Sequence, residues 1–389
     1  MNRKVAHICT SQLSYKILEE KLIQLSSQYG YEIHLISSEE GQDSGAFRKN
    51  GLQQHYVPMK RSIHPWEDFK SIYQMSRLIK REKFDIVHTH TAKAGIIGRI
   101  AATISKVPLI IHTSHGLPFY DGQPFWQHQL YKAIEIMAST CCHYVASQNQ
   151  EDLQKLAKYI RADKLIYEGN GVDVAEIDRC DHFTTDEFIH EVKAKYGIPN
   201  DKKIILMGAR FEPVKDHFLL LKCLRLLKEQ GTEPFCCLLA GNGLLEEEIK
   251  RSVIENELEE EVIFLGYQAD MFPWFKMADL LMLTSQKEGI PRFLMEGMAM
   301  SKAVVATDVL GTKELVVHNQ TGLLSRYGDA NALAFAVKRL LESPEVNREF
   351  GIAGRQRIEE QFSLEAVLKR MHELYQRQKY QVKATYEQV

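Results

Sequence analysis

The sequence predicts an α/β protein built as two doubly wound units. Three observations carry that expectation. Short apolar runs alternate with longer helical ones through the first 147 residues, the pattern of a parallel sheet covered by helices on both faces. The alternation pauses after Gly169-Asn170-Gly171-Val172-Asp173, in a polar stretch that holds Asp178, Arg179, Asp181, Asp186 and Glu187. It restarts near residue 203, and a chain of 389 residues is long enough for two domains of ordinary size.

In the first unit, compact apolar runs predict strands over 5–9, 32–37, 86–90, 109–114 and 143–147. Between them, longer patterns predict helices over 14–28, 65–82, 92–105 and 127–138. The second unit reads the same way, with strands over 203–208, 235–240, 262–265, 280–284 and 303–306 and helices over 216–230, 244–256 and 293–300. Helical patterns at 330–341, 345–361 and 364–378 follow, and no low-complexity segment or short repeat interrupts the chain. A crevice between two such units is a natural site for a nucleotide and a second substrate.

Composition narrows the class. The chain is 44% hydrophobic and 26% charged, with a formal net charge of -2. The first 180 residues are slightly basic and the remainder slightly acidic, without the dense basic face that nucleic-acid binding needs. The seven cysteines form no C-x-x-C pair, and several sit in apolar runs such as Phe235-Cys236-Cys237-Leu238-Leu239. Buried, reduced thiols in a reducing compartment fit that usage. The N-terminus is too short in apolar residues for a signal peptide, and no apolar run approaches the ~18–20 residues needed to span a bilayer. A cytoplasmic protein is expected, bound at most to a membrane surface.

The strongest chemical signal is Glu288-Gly289-Ile290-Pro291-Arg292-Phe293-Leu294-Met295-Glu296. An acidic residue leaves a strand end, a Gly-Pro turn follows, and a helix starts near Arg292. The N–H groups of Arg292, Phe293 and Leu294 at that start can bind phosphate oxygens. Glu288 and Glu296 flank them and can grip hydroxyls on either side of a diphosphate. The plainer reading is a helix whose early carboxylates offset its dipole. A second signal, Gly208-Ala209-Arg210-Phe211-Glu212-Pro213-Val214-Lys215, follows the first strand of the second unit. Arg210 and Lys215 on one loop at the carboxyl end of a strand can converge on a diphosphate. The alternative is a loop with two surface cations. Gly241-Asn242-Gly243 and Gly266-Tyr267 close the next two strands.

The first unit offers His88-Thr89-His90-Thr91 with Lys93-Ala94-Gly95, and His112-Thr113-Ser114-His115-Gly116. Four histidines after apolar strands invite a zinc reading. No carboxylate or cysteine stands at ligand spacing, however, and H-x-H with H-x-x-H is a weak zinc signature, so no metal is expected. Hydrogen-bonded structural histidines suit His88 and His112. Residues 60–83 combine Lys60, Arg61, Lys70, Arg77, Lys80, Arg81 and Lys83 with Trp66, Phe69, Ile72, Tyr73 and Ile79 near one helical face. This reads as an amphipathic helix packed on the sheet, or as a surface for anionic lipid.

Together these motifs resemble the retaining glycosyltransferases of family 4. The resemblance continues through Gly297-Met298-Ala299, Ala303-Val304-Val305-Ala306-Thr307-Asp308, Gly311-Thr312-Lys313-Glu314-Leu315-Val316 and Gly322-Leu323-Leu324, covering the second domain almost without gaps. It implies the GT-B fold, two Rossmann-like domains facing a central cleft, with an acceptor-binding domain over 1–175 and a nucleotide-sugar domain over 176–363. Residues 364–389 would pack back toward the first. By the same resemblance Glu288 holds donor-sugar hydroxyls and Glu296 the ribose. Arg210 and Lys215 hold the diphosphate, Gly241 lines the nucleotide, and Tyr267 stands where the backbone meets the base. His115, in the Thr-x-His-Gly context, reaches the donor sugar and reaction centre. His90 and Lys93 are acceptor-side candidates.

The loop Cys9-Thr10-Ser11-Gln12-Leu13-Ser14 departs from the family, which often has a Gly-Gly turn there. The stretches 88–95 and 112–122 resemble the branch that builds capsular and exopolysaccharide units on lipid carriers. The implied reaction moves a sugar from UDP-hexose or UDP-N-acetylhexosamine to a glycan or polyprenyl-diphosphate-linked acceptor. It needs no cofactor, because no D-x-D triplet occurs and the leaving diphosphate has Arg210, Lys215 and a helix N-terminus to stabilise it. Peripheral contact with the inner face of the cell membrane goes with such an acceptor. Two alternatives stay open at this point: an epimerase of similar fold that releases free sugar, and a non-catalytic sugar-nucleotide-binding subunit of a polysaccharide assembly complex.

Overall fold

Two parallel β-sheets organise the chain in the computed structural model, which describes residues 3–11, 18–38, 51–60, 64–119 and 123–386. The chain divides into two compact units. One is Met1–Gly169 with Val367–Val389, the other Asn170–Ala366.

The first unit runs β1 (Lys4–Ile8), α1 (Glu19–Tyr29), β2 (Glu32–Ser37), β3 (Gln53–Tyr56), α2 (Pro65–Glu82), β4 (Ile86–His90), α3 (Ala92–Ile104), β5 (Leu109–Ser114), α4 (Phe125–Ser139), β6 (Tyr144–Ser147), α5 (Gln150–Leu156) and β7 (Leu165–Tyr167). Its seven strands lie in the order β3-β2-β1-β4-β5-β6-β7. Every pairing is parallel. Strand order reverses between β1 and β4, and in open α/β sheets that is where ligands bind, beyond the carboxyl ends of the strands. His90 ends β4, and His115 follows the end of β5.

The second unit runs α6 (Val174–Phe183), α7 (Asp186–Tyr196), β8 (Lys203–Gly208), α8 (His217–Glu229), β9 (Phe235–Ala240), α9 (Glu246–Glu255), β10 (Val262–Gly266), α10 (Phe272–Met277), β11 (Leu280–Leu283), α11 (Arg292–Ala299), β12 (Ala303–Thr307), α12 (Thr312–Leu315), β13 (Gly322–Ser325), α13 (Ala330–Leu341) and α14 (Pro344–Gln361). Its six strands are ordered β10-β9-β8-β11-β12-β13, all parallel, with the reversal between β8 and β11. Strands covered on both faces read as unbroken apolar runs, and every residue of β9, Phe-Cys-Cys-Leu-Leu-Ala, is buried. The last helix, α15 (Leu364–Tyr386), begins in the second unit and belongs to the first from Val367.

Three strands escaped the sequence reading. β3 is Gln-Gln-His-Tyr, a polar edge strand with no apolar alternation. β7 and β13 are three and four residues long. The polar stretch after Asp173 forms two helices instead of a linker. Asp173 caps α6 through the Glu176 N–H (2.9 Å), and Thr185 caps α7 through the Phe188 N–H (3.2 Å). Asp and Thr are favoured N-cap residues, a local signal that the sequence reading did not use. Residues 14–17 of the expected first helix lie outside the described residues, as do Gln12 to Ser14 of the first loop, Arg61, and 120–122.

The helix over 65–82 packs on the core through Ile72 and Ile79, as an amphipathic helix should, but its three aromatics correct the expectation that they share that face. α2 buries Ser71, Met75, Ser76, Leu78 and Ile79, while Trp66, Phe69 and Tyr73 are 88%, 69% and 58% exposed. Residues 66, 69 and 73 form one stripe at helical spacing, pointing away from the core.

Candidate functional site

In the second unit, the loops that leave β8 and β11 meet at the strand-order reversal. Thr284 donates to the carbonyls of Lys215 (3.2 Å) and Asp216 (2.9 Å), and the Gln286 N–H donates to the Val214 carbonyl (2.8 Å). This staple sets Lys215 Nζ 2.5 Å from Glu288 Oε1, and Ser285 Oγ donates to the same oxygen at 2.5 Å. Glu288 is buried, so its pairing with a cation and a hydroxyl offsets the cost of desolvating the carboxylate. Lys215 keeps two further N–H donors for a ligand.

The glycines nearby are there for space. A side chain at Gly311, whose φ is +77°, would put Cβ 1.1 Å from the Gly289 carbonyl oxygen. The loop before α12 therefore lies directly on the turn that carries Glu288. Gly241, at φ +149°, faces the Ala209 carbonyl in the same way, and a Cβ there would come within 2.0 Å of it. Backbone bonds from Ala209 to Ala240, Phe211 to Asn242 and Gly241 to Gly266 join three strand-end loops into one floor.

The other expected donor residues are distributed around it. Arg210 is largely exposed and pairs with Glu212 at 2.6 Å. Arg292 and Glu296 pair with each other at 2.7 Å, one turn apart on α11. The Leu294 N–H already donates to the Pro291 carbonyl (3.1 Å), and the Leu294 side chain is in the core. The Phe293 ring covers Gly208, where a Cβ would come within 2.6 Å of it, so that glycine admits the ring. Tyr267 is 71% exposed.

In the first unit His7, His88, His90 and His115 form one cluster. His90 is buried, with Nε2 2.9 Å from His7 Nδ1 and Nδ1 3.1 Å from His115 Nε2. His88 is buried between Tyr375 Oη (2.7 Å, Nδ1) and Thr113 Oγ1 (2.6 Å, Nε2). His112 bonds Thr89 at 2.9 Å, and Gly95 lacks a side chain where the His112 ring passes. Burial lowers all these pKa values, to about 4 for His88 and His115 and well below the ordinary range for His7, His90 and His112. The rings are therefore neutral at pH 7. Thr91, just after His90, holds a φ of +62°, which a β-branched residue adopts only under constraint, and its hydroxyl meets that of Thr10 at 2.9 Å. Lys93 is ion-paired to Asp68 at 2.5 Å, which ties the start of α3 to α2.

His7, His88 and His90 lie close enough together to suggest a metal. The 2.9 Å between His7 Nδ1 and His90 Nε2 is hydrogen-bond spacing, shorter than the ~3.3 Å between two ligands on a tetrahedral ion with bonds of ~2.0–2.1 Å.

The sequence reading missed Glu168 and Lys21. Both are buried, and Lys21 Nζ sits 2.6 Å from Glu168 Oε1, while Thr113 donates to Glu168 Oε2 at 2.5 Å. Burial raises the Glu168 pKa, but the charge of Lys21 and then His88 outweigh it, leaving the carboxyl at about 2. No local pattern marks a glutamate whose partner is 147 residues away.

Comparison with known proteins assigns both units. Residues 188–357 match the model for glycosyl transferases group 1, and residues 7–149 that for glycosyl transferase 4-like domains. The chain is 26% identical over 352 residues to the UDP-Gal:alpha-D-GlcNAc-diphosphoundecaprenol alpha-1,3-galactosyltransferase of Escherichia coli, covering 88% of this chain and 89% of that one. It is 25% identical over 385 residues to the capsular polysaccharide biosynthesis glycosyltransferase CapM of Staphylococcus aureus, covering 96% and 97%. Among solved structures, a glycosyltransferase from Rickettsia africae superposes with a TM-score of 0.84 at 22% identity, over 97% of this chain and 98% of that one. Anabaena HepE in complex with UDP and glucose gives 0.79 at 18% identity, over 96% and 99%. These likenesses show the GT-B fold.

Proposed function

The chain is a glycosyltransferase of polysaccharide biosynthesis, its second unit matching the group 1 model and its first the 4-like model, and from that premise we propose its reaction. A hexose or N-acetylhexosamine moves from a UDP-sugar to a glycan or polyprenyl-diphosphate-linked acceptor, with retention and without a metal. The observation that carries this reading is the Lys215–Glu288 pair at the strand-order reversal of the second sheet. It sets a cation for the diphosphate beside a carboxylate for sugar hydroxyls.

In the proposed mechanism, residues 176–363 hold the donor and residues 1–175 the acceptor. Arg210, Lys215 and the start of α11 (Arg292, Phe293) face the diphosphate, Glu296 the ribose, and Gly241 and Tyr267 the nucleotide; Leu294, with its N–H held by the Pro291 carbonyl and its side chain in the core, takes no part. The acceptor oxygen attacks the anomeric carbon from the leaving group's side as the bond to the phosphate oxygen breaks. The departing diphosphate takes up the acceptor proton, and the cations of the second unit stabilise its developing charge. Glu288 and His115 orient the transferred sugar, and His90 and Lys93 support the acceptor side. The diphosphoundecaprenol-linked substrate in the name of the E. coli relative supports a lipid-linked acceptor.

Such an acceptor would be met at the cytoplasmic face of the cell membrane. All seven cysteines are free, which fits a reducing compartment. Among the described residues no helix is long and apolar enough to cross a membrane. The stripe Trp66, Phe69 and Tyr73 supports contact with a lipid surface.

The test is a panel of UDP- and GDP-sugars, with nucleotide release measured with and without a polyprenyl-diphosphate-linked saccharide. Release from one donor that requires the acceptor, with the sugar found on the lipid, is expected. Free sugar formed without acceptor would instead favour an epimerase. Donor binding without turnover would favour a non-catalytic subunit.

A further inference from the structure

Four histidines of the first unit, His7, His88, His90 and His115, belong to a longer chain that begins at a charge. Lys21 neutralises one oxygen of Glu168, and the other accepts from the Thr113 hydroxyl. Six hydrogen bonds then link Glu168 to Thr113, His88, Tyr375, His7, His90 and His115 in turn, at 2.5, 2.6, 2.7, 3.3, 2.9 and 3.1 Å. All of these residues lie within the first unit, Tyr375 through α15.

The carboxylate fixes the sense of every bond. An ionised carboxylate only accepts, so Thr113 spends its one proton on Glu168 and must accept at its lone pair from His88 Nε2–H. A neutral imidazole with its proton on Nε2 has a bare Nδ1, so Tyr375 donates to His88 Nδ1. The Tyr375 oxygen then accepts from His7 Nε2–H. His7 Nδ1, left bare, accepts from His90 Nε2–H, and His90 Nδ1 accepts from His115 Nε2–H. Each donor points back toward Glu168. The nitrogen at the open end of the chain is His115 Nδ1, with a lone pair. Gln148 hydrogen-bonds the His115 ring, and since Nε2 is taken by His90, its amide stands at Nδ1 as a donor that a sugar hydroxyl would replace.

We propose that Glu168 is a positioning residue that, through this chain, holds His115 as the Nε2–H tautomer and so presents Nδ1 as an acceptor for a sugar hydroxyl. The proposal rests on the placement of His115 at the reacting centre. It has a consequence for recognition. A bare nitrogen attracts a hydroxyl proton and repels a phosphate oxygen, so His115 reads the sugar and leaves the diphosphate to the cations of the second unit. Reversed, the chain would offer an N–H to either group and distinguish neither.

Two variants interrupt the chain at different links with little change of shape. Tyr375→Phe removes the hydroxyl between His88 and His7, and Thr113→Val removes the one between Glu168 and His88. Thr113→Ser keeps it. In the full-length protein labelled with 15N-histidine, long-range proton–nitrogen spectra read each ring's tautomer. His115→Asn identifies the His115 signals. Wild type and Thr113→Ser are expected to show His115 protonated on Nε2. Both interrupted variants should show a mixture of tautomers, with turnover lower by about tenfold, the share of one ordinary hydrogen bond, and little change in donor KM. A wild-type His115 protonated on Nδ1, or a tautomer unmoved by both interruptions, would overturn the proposal. A tautomer that changes while turnover does not would uphold the chain and overturn the placement of His115 at the reacting centre.

Discussion

Glu288 and Lys215 were legible one at a time, each as part of a motif at a strand end. Their ion pair was not, because 73 residues of separation say nothing about distance until β8 and β11 are neighbours. The pair sharpens the contrast with Glu296, whose partner is Arg292 on its own helix. Glu296→Ala is expected to weaken binding of the free nucleotide diphosphate roughly 10- to 150-fold, the worth of a charge-assisted hydrogen bond of ~1.5–3 kcal/mol. Glu288→Gln should barely change that affinity but lower turnover, since sugar positioning matters most as the glycosidic bond breaks. Calorimetric titration paired with steady-state rates separates the two, and nucleotide binding that falls equally in both variants would contradict the assigned roles. Gly311 makes a purely steric prediction. With φ at +77° and a Cβ position 1.1 Å from the Gly289 oxygen, Gly311→Ala must push the Glu288 turn aside. A loss of about 1–3 kcal/mol in thermal unfolding of the second unit is expected, with lower activity.

At the scale of elements, the long apolar strands and amphipathic helices were read from periodicity alone. The strands over 32–37, 86–90, 109–114, 203–208 and 235–240 have the bounds expected of them. The reading of the buried face of α2 held for Ile72 and Ile79, which pack on the core, and failed for Trp66, Phe69 and Tyr73. Trp66, Phe69 and Tyr73 have helical spacing, but so do Ser71, Met75 and Leu78, and the smaller residues face the core because α3 packs closely against α2. α3 also contacts α4, held by the buried pair of Arg99 with Glu135 at 2.9 Å. α4 exposes Phe125 and Trp126 in its first turn. Both α2 and α4 start at the carboxyl edge of the first sheet, so the exposed aromatics lie along the edge that carries His90 and His115. Co-sedimentation with vesicles should rise with anionic lipid, drawn by the lysines and arginines of α2. It should fall in 1 M salt, where the screening length is ~3 Å. Replacing Trp66 and Trp126 by Ser should abolish it while leaving the fold intact. Equal binding to neutral and anionic vesicles would contradict the charge contribution.

For the molecule as a whole, the alternation of strand and helix, its pause and its restart were enough to give two doubly wound units. The order of strands, and so the reversals that gather the site residues, needed the structure. The two units also differ in a way that composition hides: the first buries a histidine cluster, and the second buries His217. His88 titrates near 6.5 unfolded and at about 4 folded. Between those values the unfolded chain binds the proton that the folded one refuses, so stability is full above pH 6.5 and falls as pH drops toward 4. His88 alone removes about 2 kcal/mol between pH 7 and pH 5. Glu168, at about 2 when folded, contributes above pH 4.5 and loses that contribution only below it. Hydrogen exchange followed by peptide should therefore show residues 3–169 losing protection at pH 5 before residues 170–366 do, and equal losses would contradict the neutral histidine cluster.

The central claim is transfer with retention, driven by protein cations instead of a metal. Its most direct test is the anomeric configuration of the product formed from an α-linked UDP-sugar in excess EDTA, read by proton NMR on the isolated glycoside. An α-linked product, formed as fast as without EDTA, is the predicted result. A β-linked product, or activity that disappears in EDTA and returns with manganese or magnesium, would contradict it.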